Sequence, residues 1–258
     1  MCRNKKSFKR HFKRACLKKG RIEISIQSQQ KSRISIIIPV YNESSSISVL
    51  LYQLTDLKDN CEIVFVDGGS ADDTVAQIEA MGFFAVVSPK KGRANQLNHG
   101  AALSGGEILW FLHADSVLPP NPLEQITQAV ENGYMIGCFR LKFDCTSPLM
   151  RFTAFCSNNI RTAIRNIAFG DQGIFIKRKL FEKLGGFADM PLMEDFQLSI
   201  DVKKAGIRIK LLNAKITTSA RRYKQGGRLK TIFLMWHLQR RYRKGESVEE
   251  IEKIYNRK

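Results

Sequence analysis

Polar side chains that could bind a ligand follow several short apolar runs of this sequence. The run that ends at Leu112 is followed by His113, Ala114 and Asp115, so an imidazole and a carboxylate stand one residue apart. Alternate residues of an extended chain point the same way. A carboxylate is a hard oxygen ligand that suits Mg²⁺ or Mn²⁺, above all where phosphates share the ion. Alone, the tripeptide is weak evidence, because a histidine in such a place is more often structural.

Two earlier apolar runs end in polar turns. The first is followed by Pro39–Glu43, which includes Tyr41, and the second by Asp67–Thr74. The adjacent glycines, Gly68 first among them, permit a tight turn with close backbone approach to a ligand. Asp67 stands too early to cap the next helix, so it is predicted to contact a base or ribose. The acidic pair and the threonine that close the second segment are predicted helix caps.

Strand and helix patterns alternate from Ile34 onward. The predicted strands are Ile34–Val40, Glu62–Val66, Phe83–Val87 and Ile108–Leu112, and the predicted helices are about Ser46–Leu54, Thr74–Met81 and Arg93–Leu103. Near-continuous apolar strands separated by helices predict an α/β fold with a parallel sheet covered on both faces. Ligands of such sheets bind beyond the carboxyl ends of the strands, where the polar turns stand.

The second half of the chain is less regular. One helix is predicted to start at Asn121-Pro122, with Asn121 as its cap and Pro122 as its first residue. Further helices are predicted over Pro148–Ile164, Lys179–Leu184 and Glu194–Ala205, and strands over Met135–Phe143, Gly173–Ile176 and 207–217. We find no repeat and no internal linker. The predicted organisation is a basic, disordered arm at 1–32, one domain at 33–220 and a basic helical segment at 221–258. The domain divides into a donor half (33–116) and an acceptor half (117–220).

The net charge of +18 is concentrated at the two ends. Residues 1–33 contribute +11 and residues 221–258 contribute +8, which leaves −1 for the body between them. A high pI by itself would suggest an RNA- or DNA-binding protein. A near-neutral body with two basic ends instead favours contact with an anionic surface, so no nucleic-acid partner is predicted.

Several features bear on the location of the protein. The six cysteines form no zinc or redox pattern, and the chain has neither a spanning apolar run nor a signal-peptide core. We therefore expect a protein of the reducing cytosol, with peripheral contact at the inner face of the membrane through its basic ends. Alternatives for 1–32 are a membrane-contact helix and a transit peptide; Leu229–Tyr242 is either an interfacial helix or a helix docked on the body.

The order of these motifs resembles family 2 of the inverting glycosyltransferases, which have the GT-A fold, a mixed and mostly parallel sheet. The resemblance runs from about residue 34 to 223 and includes Pro39–Glu43, Asp67–Thr74, His113–Asp115 in place of Asp-x-Asp, and Glu194-Asp195. The segments Gly92–Ala101, Gly170–Gly173 and Ser219–Arg222 further resemble a bacterial-type subgroup. A Rossmann dehydrogenase is disfavoured, because the turn after the second strand lacks GxGxxG spacing.

The resemblance implies metal-dependent, inverting transfer of a sugar from a nucleotide-diphosphate donor to an unidentified acceptor, with a lipid-linked acceptor as one option. Asp115 would hold Mn²⁺ or Mg²⁺, and Asp195 would be the base that deprotonates the acceptor hydroxyl. Glu194 would orient either the acceptor or Asp195. His113, which replaces the first Asp, is either a ribose contact or a nitrogen ligand. On local sequence alone, the two acids at 194 and 195 would be read as helix-terminal charges.

Further site residues follow from the resemblance and from residue chemistry. The predicted donor-binding set is Pro39, Tyr41, Glu43, Asp67, Gly68, Arg93, His113, Ala114, Arg221 and Arg222. For the two arginines at 221 and 222 the alternative is a solvated basic face. Asp171 and Gln172 would line the acceptor or sugar pocket, or else form a simple turn. The alternative function is a non-catalytic membrane-surface or regulatory module that kept the fold.

Overall fold

A seven-stranded β-sheet is the frame of residues 33–256, which are the residues that the computed structural model describes, with the backbone alone at positions 222 and 225. The predicted arm at 1–32 lies outside them. The strands are β1 Ile34–Val40, β2 Glu62–Asp67, β3 Ala85–Val87, β4 Ile108–Phe111, β5 Ile136–Phe143, β6 Phe175–Lys177 and β7 Lys210–Thr218. Across the sheet the order is β3-β2-β1-β4-β6-β5-β7.

The first four strands run parallel, which places their carboxyl ends at one end of the sheet. β1 pairs with both β2 and β4, and Val40 lies opposite Asp67 in the register. The sheet becomes mixed at β6, which is antiparallel to β4 and β5, whereas β5 and β7 are parallel to each other. The predicted mixed, mostly parallel sheet is confirmed.

Helices cover both faces of this sheet, as the apolar strands predicted. The helices are α1 Ser48–Thr55, α2 Thr74–Ala80, α3 Arg93–Leu103, α4 Pro122–Glu131, α5 Pro148–Cys156, α6 Arg178–Lys183, α7 Glu194–Lys204, α8 Arg221–Gln225, α9 Arg228–Arg243 and α10 Val248–Asn256. In β1, Ile36 and Ile38 pack with α1, α2 and α4, while Ile37 packs on the opposite face with α3, α6 and α7. A strand buried on both faces is apolar along most of its length, which is why β1 shows no alternation. Its one polar residue, Ser35, is buried and donates its hydroxyl to the Glu62 carboxylate.

The helix predicted over Pro148–Ile164 changes its winding in the middle. After α5 the chain continues as a π-helix over Ser157–Ile164. The Asn158 amide bonds both the N–H and the C=O of Leu141 on β5, at 2.8 and 3.0 Å. The Thr162 hydroxyl donates to Ser157 O, five residues back. These bonds stabilise the wider winding and hold the segment against the sheet. The predicted helical span is confirmed, and the π winding of its second half is the difference.

The last helices pack on the body through a separate apolar cluster. Leu238 of α9 and Ile251 of α10 are buried there with Phe169, Met193 and Phe196. The stretch predicted at Leu229–Tyr242 therefore docks on the body through one face. No helix within 33–256 has the length and apolar composition that crossing a membrane requires.

Two local predictions differ from the structure. Asn121 has a φ of 47° and makes no side-chain capping bond, so its predicted role as a cap is wrong, although Pro122 does begin α4. The strand predicted over 207–217 is shifted along the chain, as β7 begins at Lys210 and ends at Thr218.

Candidate active site

A cavity of about 420 Å³ lies beside the residues that follow β4. Five of the predicted site residues line it: Arg93, His113, Asp115, Asp171 and Asp195. They come from the start of α3, the end of β4, the turn before β6 and the start of α7. Residues from distant parts of the chain thus meet where an α/β sheet places its ligands.

The turns after β1 and β2 are hydrogen-bonded to each other. Asn42 has a φ of 53°, its side-chain oxygen accepts the N–H of Ala71 at 2.8 Å, and its own N–H is donated to Ser70 Oγ at 2.9 Å. The N–H of Glu43 is donated to Thr74 Oγ1 at 2.8 Å. Because each turn satisfies polar groups of the other, the two form one structural unit.

Asp72 ties the same two turns together. Its carboxylate accepts the N–H groups of Thr74 and Ser44, both at 3.1 Å. Hydrogen bonds from these two residues lower the pKa of Asp72 to about 2. Asp72 therefore caps α2 as predicted, whereas Asp73 makes no side-chain capping bond and its predicted role as a cap is wrong.

The Asp67 carboxylate organises its own turn. It accepts the N–H groups of Gly69 and Ser70 at 3.0 to 3.1 Å, and the Ser70 hydroxyl at 2.6 Å. Asp67 is only 3% exposed. Of the predicted donor-binding residues on the neighbouring strand and turn, Pro39 lies within β1 and Tyr41 is 55% exposed. The donor contact predicted for Asp67 stays a prediction, and its position at the strand tip is as expected.

Gln96 of α3 joins the ends of the two central strands. Its buried amide donates to Val40 O at 2.9 Å and to Val66 O at 2.7 Å. A Cβ on Gly68 would lie 3.1 Å from Gln96 Nε2, so this glycine allows a close approach of backbone to a side chain. Gln96 was not singled out from the sequence; the signal was a polar residue on the buried face of a helix.

Asp115, Glu43 and Arg221 form one charged group beside the cavity. Burial raises the pKa of Asp115, the negative charge of Glu43 raises it further, and Arg221 acts in the opposite direction. Arg221 Nη2 lies 3.5 Å from a Glu43 carboxylate oxygen. The Ala114 side chain is packed in the core, and the Arg222 side chain lies outside the described part of the chain. Two mutually repelling carboxylates with one arginine can accept a cation.

Arg93 connects three predicted site residues. It makes a hydrogen-bonded ion pair with Glu194, its Nη2 lies 3.6 Å from Asp195 Oδ2, and its Nη1 lies 3.4 Å from His113 Nε2. Burial acts to lower the pKa of Arg93, but the charges of Glu194 and Asp195 outweigh it and the net shift is upward. The guanidinium faces the acid pair, so the predicted nucleotide contact would compete with these bonds.

His113 is held neutral between Arg93 and Gly170. Burial, followed by the charge of Arg93, lowers the pKa of His113 to about 3. A Cβ on Gly170 would come within 2.6 Å of His113 Nε2, so a glycine is needed there. Because Nε2 faces a guanidinium, a metal cation at this nitrogen would be repelled. The charge arrangement thus favours Asp115 over His113 as the metal ligand.

Asp195 sits at the start of α7 with both carboxylate oxygens oriented. Oδ2 accepts the N–H of Gly170 at 2.8 Å and Oδ1 accepts the N–H of Phe196 at 2.7 Å. The preceding Met193 has a φ of 70°, a strained conformation that turns the chain sharply into the helix. The carboxylate is fixed, ionisable and in contact with the cavity, as a general base must be.

Glu194 lies behind the cavity rather than on its wall. It is 1% exposed and does not line the cavity. Burial raises the pKa of Glu194, Arg93 opposes this shift and Asp195 adds to it. Of the two predicted roles, orientation of Asp195 suits this position better, because Glu194 pairs with Arg93, whose Nη2 lies 3.6 Å from Asp195 Oδ2.

Asp171 and Gln172 have different surroundings. Asp171 lines the cavity, and burial raises its pKa against the effect of Arg161, 4.0 Å away. Gln172 is fully buried, and its Oε1 accepts from Arg161 Nη2 at 2.9 Å and from Thr162 Oγ1 at 3.2 Å. The predicted pocket role of Gln172 is therefore not supported; it positions Arg161, which does line the cavity and which stacks on Phe169.

Part of the cavity wall was missed from the sequence. Side chains of the C-terminal region contribute to it: Ser219, Tyr223, Met235, Gln239 and Tyr255. Apart from Ser219, which begins the Ser219–Arg222 segment, none belongs to a motif, and their contribution depends on how α8, α9 and α10 fold back over the body. The π-helical winding that points Arg161 inward has no local sequence signal either.

Replacing Arg93 with glutamine is expected to destabilise the fold by about 3 kcal/mol, because it leaves the buried Glu194 carboxylate without a partner. This is the low end for a broken buried pair, since the Arg93 side chain is 38% exposed. Chemical denaturation measures the change. In the double variant Arg93→Gln/Glu194→Gln, removal of the buried charge should restore a large part of the loss.

The control for this change is Lys90→Ala, which breaks the exposed ion pair with Asp189. Surface pairs contribute about 0 to 1 kcal/mol, so the control should unfold nearly as the unmodified protein does. Equal losses in Arg93→Gln and in the double variant would contradict the assignment of Arg93 to the acid pair.

Comparison with known proteins supports the fold and the family. The family model described as Glycosyl transferase family 2 matches residues 35–185. The probable glycosyltransferase YdaM of Bacillus subtilis is 29% identical over 214 residues, which cover 72% of this chain and 50% of that protein. An undecaprenyl-phosphate 4-deoxy-4-formamido-L-arabinose transferase of Aeromonas hydrophila is 29% identical over 123 residues, which cover 42% of this chain and 36% of that protein.

Solved structures share the GT-A fold. Glucosyl-3-phosphoglycerate synthase of Mycobacterium tuberculosis, in complex with Mn²⁺, UDP-glucose and phosphoglyceric acid, has a TM-score of 0.54 at 19% identity and covers 71% of this chain and 70% of that one. S. aureus TarS 1-349 in complex with UDP-GlcNAc has a TM-score of 0.58 at 18% identity and covers 72% of this chain and 58% of that one. The chain spans about half the length of the first curated relatives it matches.

Proposed function

Because the chain belongs to glycosyl transferase family 2, we propose that it transfers a sugar from a nucleotide-diphosphate donor to an acceptor hydroxyl by a metal-dependent, inverting displacement. The observation that carries this proposal is the meeting of Asp115 and Asp195 at one cavity beyond the carboxyl ends of the parallel strands. One carboxylate belongs to a group that can accept a cation, and the other is oriented as a base.

In the proposed reaction Asp195 takes the proton of the acceptor hydroxyl as that oxygen attacks the anomeric carbon from the side opposite the leaving group. The bonds from Gly170 and Phe196 fix the carboxylate, so its orientation costs little at the moment of reaction. Arg93 and Glu194 act as positioning residues behind it. Arg161 and Asp171 lie on the wall where the acceptor or the sugar would bind.

The residues near Asp115 fit a divalent metal shared with phosphates. Within the described chain no three His, Cys, Asp or Glu side chains gather as a metal cage. Sites of Mg²⁺ and Mn²⁺ on nucleotides use one or two carboxylates plus phosphate oxygens, which suits Asp115 beside Glu43. A bound Mn²⁺ or Mg²⁺ would neutralise charge on the leaving nucleoside diphosphate. Arg221 stands next to Glu43 and is proposed to add positive charge there.

The acceptor is proposed to be lipid-linked. Several relatives are named undecaprenyl-phosphate sugar transferases, although they match less than two thirds of this chain. The two basic ends suit a peripheral position at an anionic membrane surface. Nucleic acid is not a proposed partner.

A panel of nucleotide-diphosphate sugars tests the function with the full chain. We expect at least one donor to raise the melting temperature in the presence of Mn²⁺ or Mg²⁺ but not with EDTA, because a ligand that binds only the native state stabilises it. The same donor should release its nucleoside diphosphate slowly in a metal-dependent reaction with water. Binding without any release, or no binding by any donor, would overturn the proposed transfer and favour the non-catalytic alternative.

A further inference from the structure

The outer face of α9 is apolar and basic where a helix facing water would be polar. Leu229, Phe233 and Trp236 are 59, 66 and 54% exposed at a spacing that places them on one side of the helix. Arg240 continues the same side and lies over the Trp236 ring, 5.6 Å from its centre. The helix contains five Lys or Arg residues and no Asp or Glu. Such a face is typical of a helix that lies at a membrane surface.

A second exposed stripe of the same kind runs along α5 and the π-helix that follows it. Phe152, Phe155, Ile160 and Ile164 are all at least 40% exposed. Their spacing of three to five residues keeps them on one side of the helix. The five-residue step from Phe155 to Ile160 matches the wider turn of the π-helix. Residues 148–165 contain three Arg and no Asp or Glu.

These two stripes meet at Arg165. This exposed residue follows the π-helix, and together with α9 it lines a hollow of about 320 Å³ whose other walls are Trp236, Gln239, Arg240, Arg243 and Lys244. The outer faces of Pro148–Arg165 and of α9 are therefore neighbours. We call them together the outer face.

A basic cavity adjoins the other end of this face. It measures about 570 Å³, borders Phe155 and contains Arg140, Lys142, Arg151 and Lys215. Arg140 and Lys215 lie directly opposite each other on β5 and β7, an arrangement of like charges that is unfavourable without an anion. Among residues 33–256 none of these four cations forms an ion pair with a carboxylate.

We propose that the outer face docks on the surface of an anionic lipid bilayer, with the aromatic and aliphatic side chains entering the interface and the cations contacting lipid phosphates. Exposed Phe, Trp, Leu and Ile interleaved with Arg and Lys match this partner in both polarity and charge. A symmetric contact with a second copy would place cations against cations.

The docked orientation would relate the membrane to the candidate site. Met235 and Gln239 of α9 line the cavity that contains Asp195, while Trp236 and Arg240 lie on the outer face. Gln239 also lines the hollow where the two stripes meet, so one helix would border both the docked bilayer and the cavity. This inference deepens the membrane part of the proposed function, and its test involves no sugar transfer, so either can fail without the other.

Tryptophan fluorescence of the full chain tests the docking. The protein has two tryptophans; Trp110 is fully buried and Trp236 is exposed. Vesicles of phosphatidylcholine mixed with phosphatidylglycerol should shift the emission to shorter wavelength, and Trp236→Phe should abolish the shift. Leu229→Ser/Phe233→Ser, which retains the reporter, should weaken partitioning about tenfold.

The matched control is Phe84→Ser, which removes an aromatic side chain that is 82% exposed beside β3, at the far edge of the sheet. It should partition like the unmodified protein. An equal loss in the control, an equal shift with pure phosphatidylcholine, or a shift that grows with protein concentration in the absence of vesicles would each overturn the proposal. Binding without any shift would also overturn it, because the basic arm would then account for the attachment.

Discussion

Asp195→Asn is expected to lower the rate of sugar transfer by roughly 10²- to 10⁴-fold, the range that general base catalysis contributes, while donor affinity changes little. The asparagine side chain keeps the shape of the carboxylate but cannot take the proton of the acceptor hydroxyl. The donor is expected to bind through the turns after β1, β2 and β4, and these do not depend on the charge of Asp195. Single-turnover transfer and donor titration, measured separately, distinguish the two effects.

Asp195→Asn also removes one hydrogen bond from the folded protein. Both oxygens of Asp195 accept backbone N–H groups, from Gly170 and Phe196. An amide has only one acceptor oxygen, so one of these bonds is lost, at about 1 kcal/mol. The variant should therefore melt slightly earlier than the unmodified protein but remain folded at assay temperature.

Asp201→Asn is the matched control on the same helix. Asp201 accepts hydrogen bonds from Gln197 and does not line the cavity. Its replacement should leave the transfer rate unchanged. If Asp195→Asn transferred sugar at a rate within threefold of the unmodified protein, Asp195 would not be the base.

The fold was predictable because its signals are local. Each of β1, β2 and β4 is an apolar run that ends in a polar turn, and burial on both faces of a parallel sheet demands such a run. The order of these turns then places Asp67 and Asp115 at the same end of the sheet without any knowledge of side-chain contacts.

The site was predictable in its members but not in their connections. Arg93 was expected at the nucleotide because it begins a helix after a glycine, yet its guanidinium pairs with Glu194, a residue about a hundred positions away. Gln172 was expected in the pocket, but it is buried under Arg161. Sequence shows which groups can ionise, whereas pairing between distant elements decides which of them face the cavity.

Two groups of charged residues at the cavity differ in how fully their charges are balanced. Buried Glu194 and Arg93 neutralise each other, which leaves Asp195 oriented at the cavity wall. Asp115 and Glu43, in contrast, repel each other with only partial relief from Arg221. The first group is complete without a ligand, while the second is stabilised by an added cation. This difference distinguishes Asp195, the proposed base, from Asp115, the proposed metal ligand.

Asp115→Asn is therefore expected to raise the stability of the ligand-free protein slightly while abolishing its metal-dependent stabilisation by the donor. The folded state raises the pKa of Asp115, so it penalises the ionised form at neutral pH. An uncharged asparagine removes both this penalty and the repulsion from Glu43. A residue retained at a cost in stability is typical of a functional site.

Thermal unfolding with and without Mn²⁺ and the donor measures both effects. For the unmodified protein a donor at a hundred times its Kd adds about 2.7 kcal/mol, or roughly 5 to 10 °C in a chain of this size. Asp115→Asn should show no such increase. Asp56→Asn, in the loop after α1, is the control and should keep the full shift. If Asp115→Asn melted several degrees early and still gained the full shift, Asp115 would have a structural role, and the donor would be held by other groups.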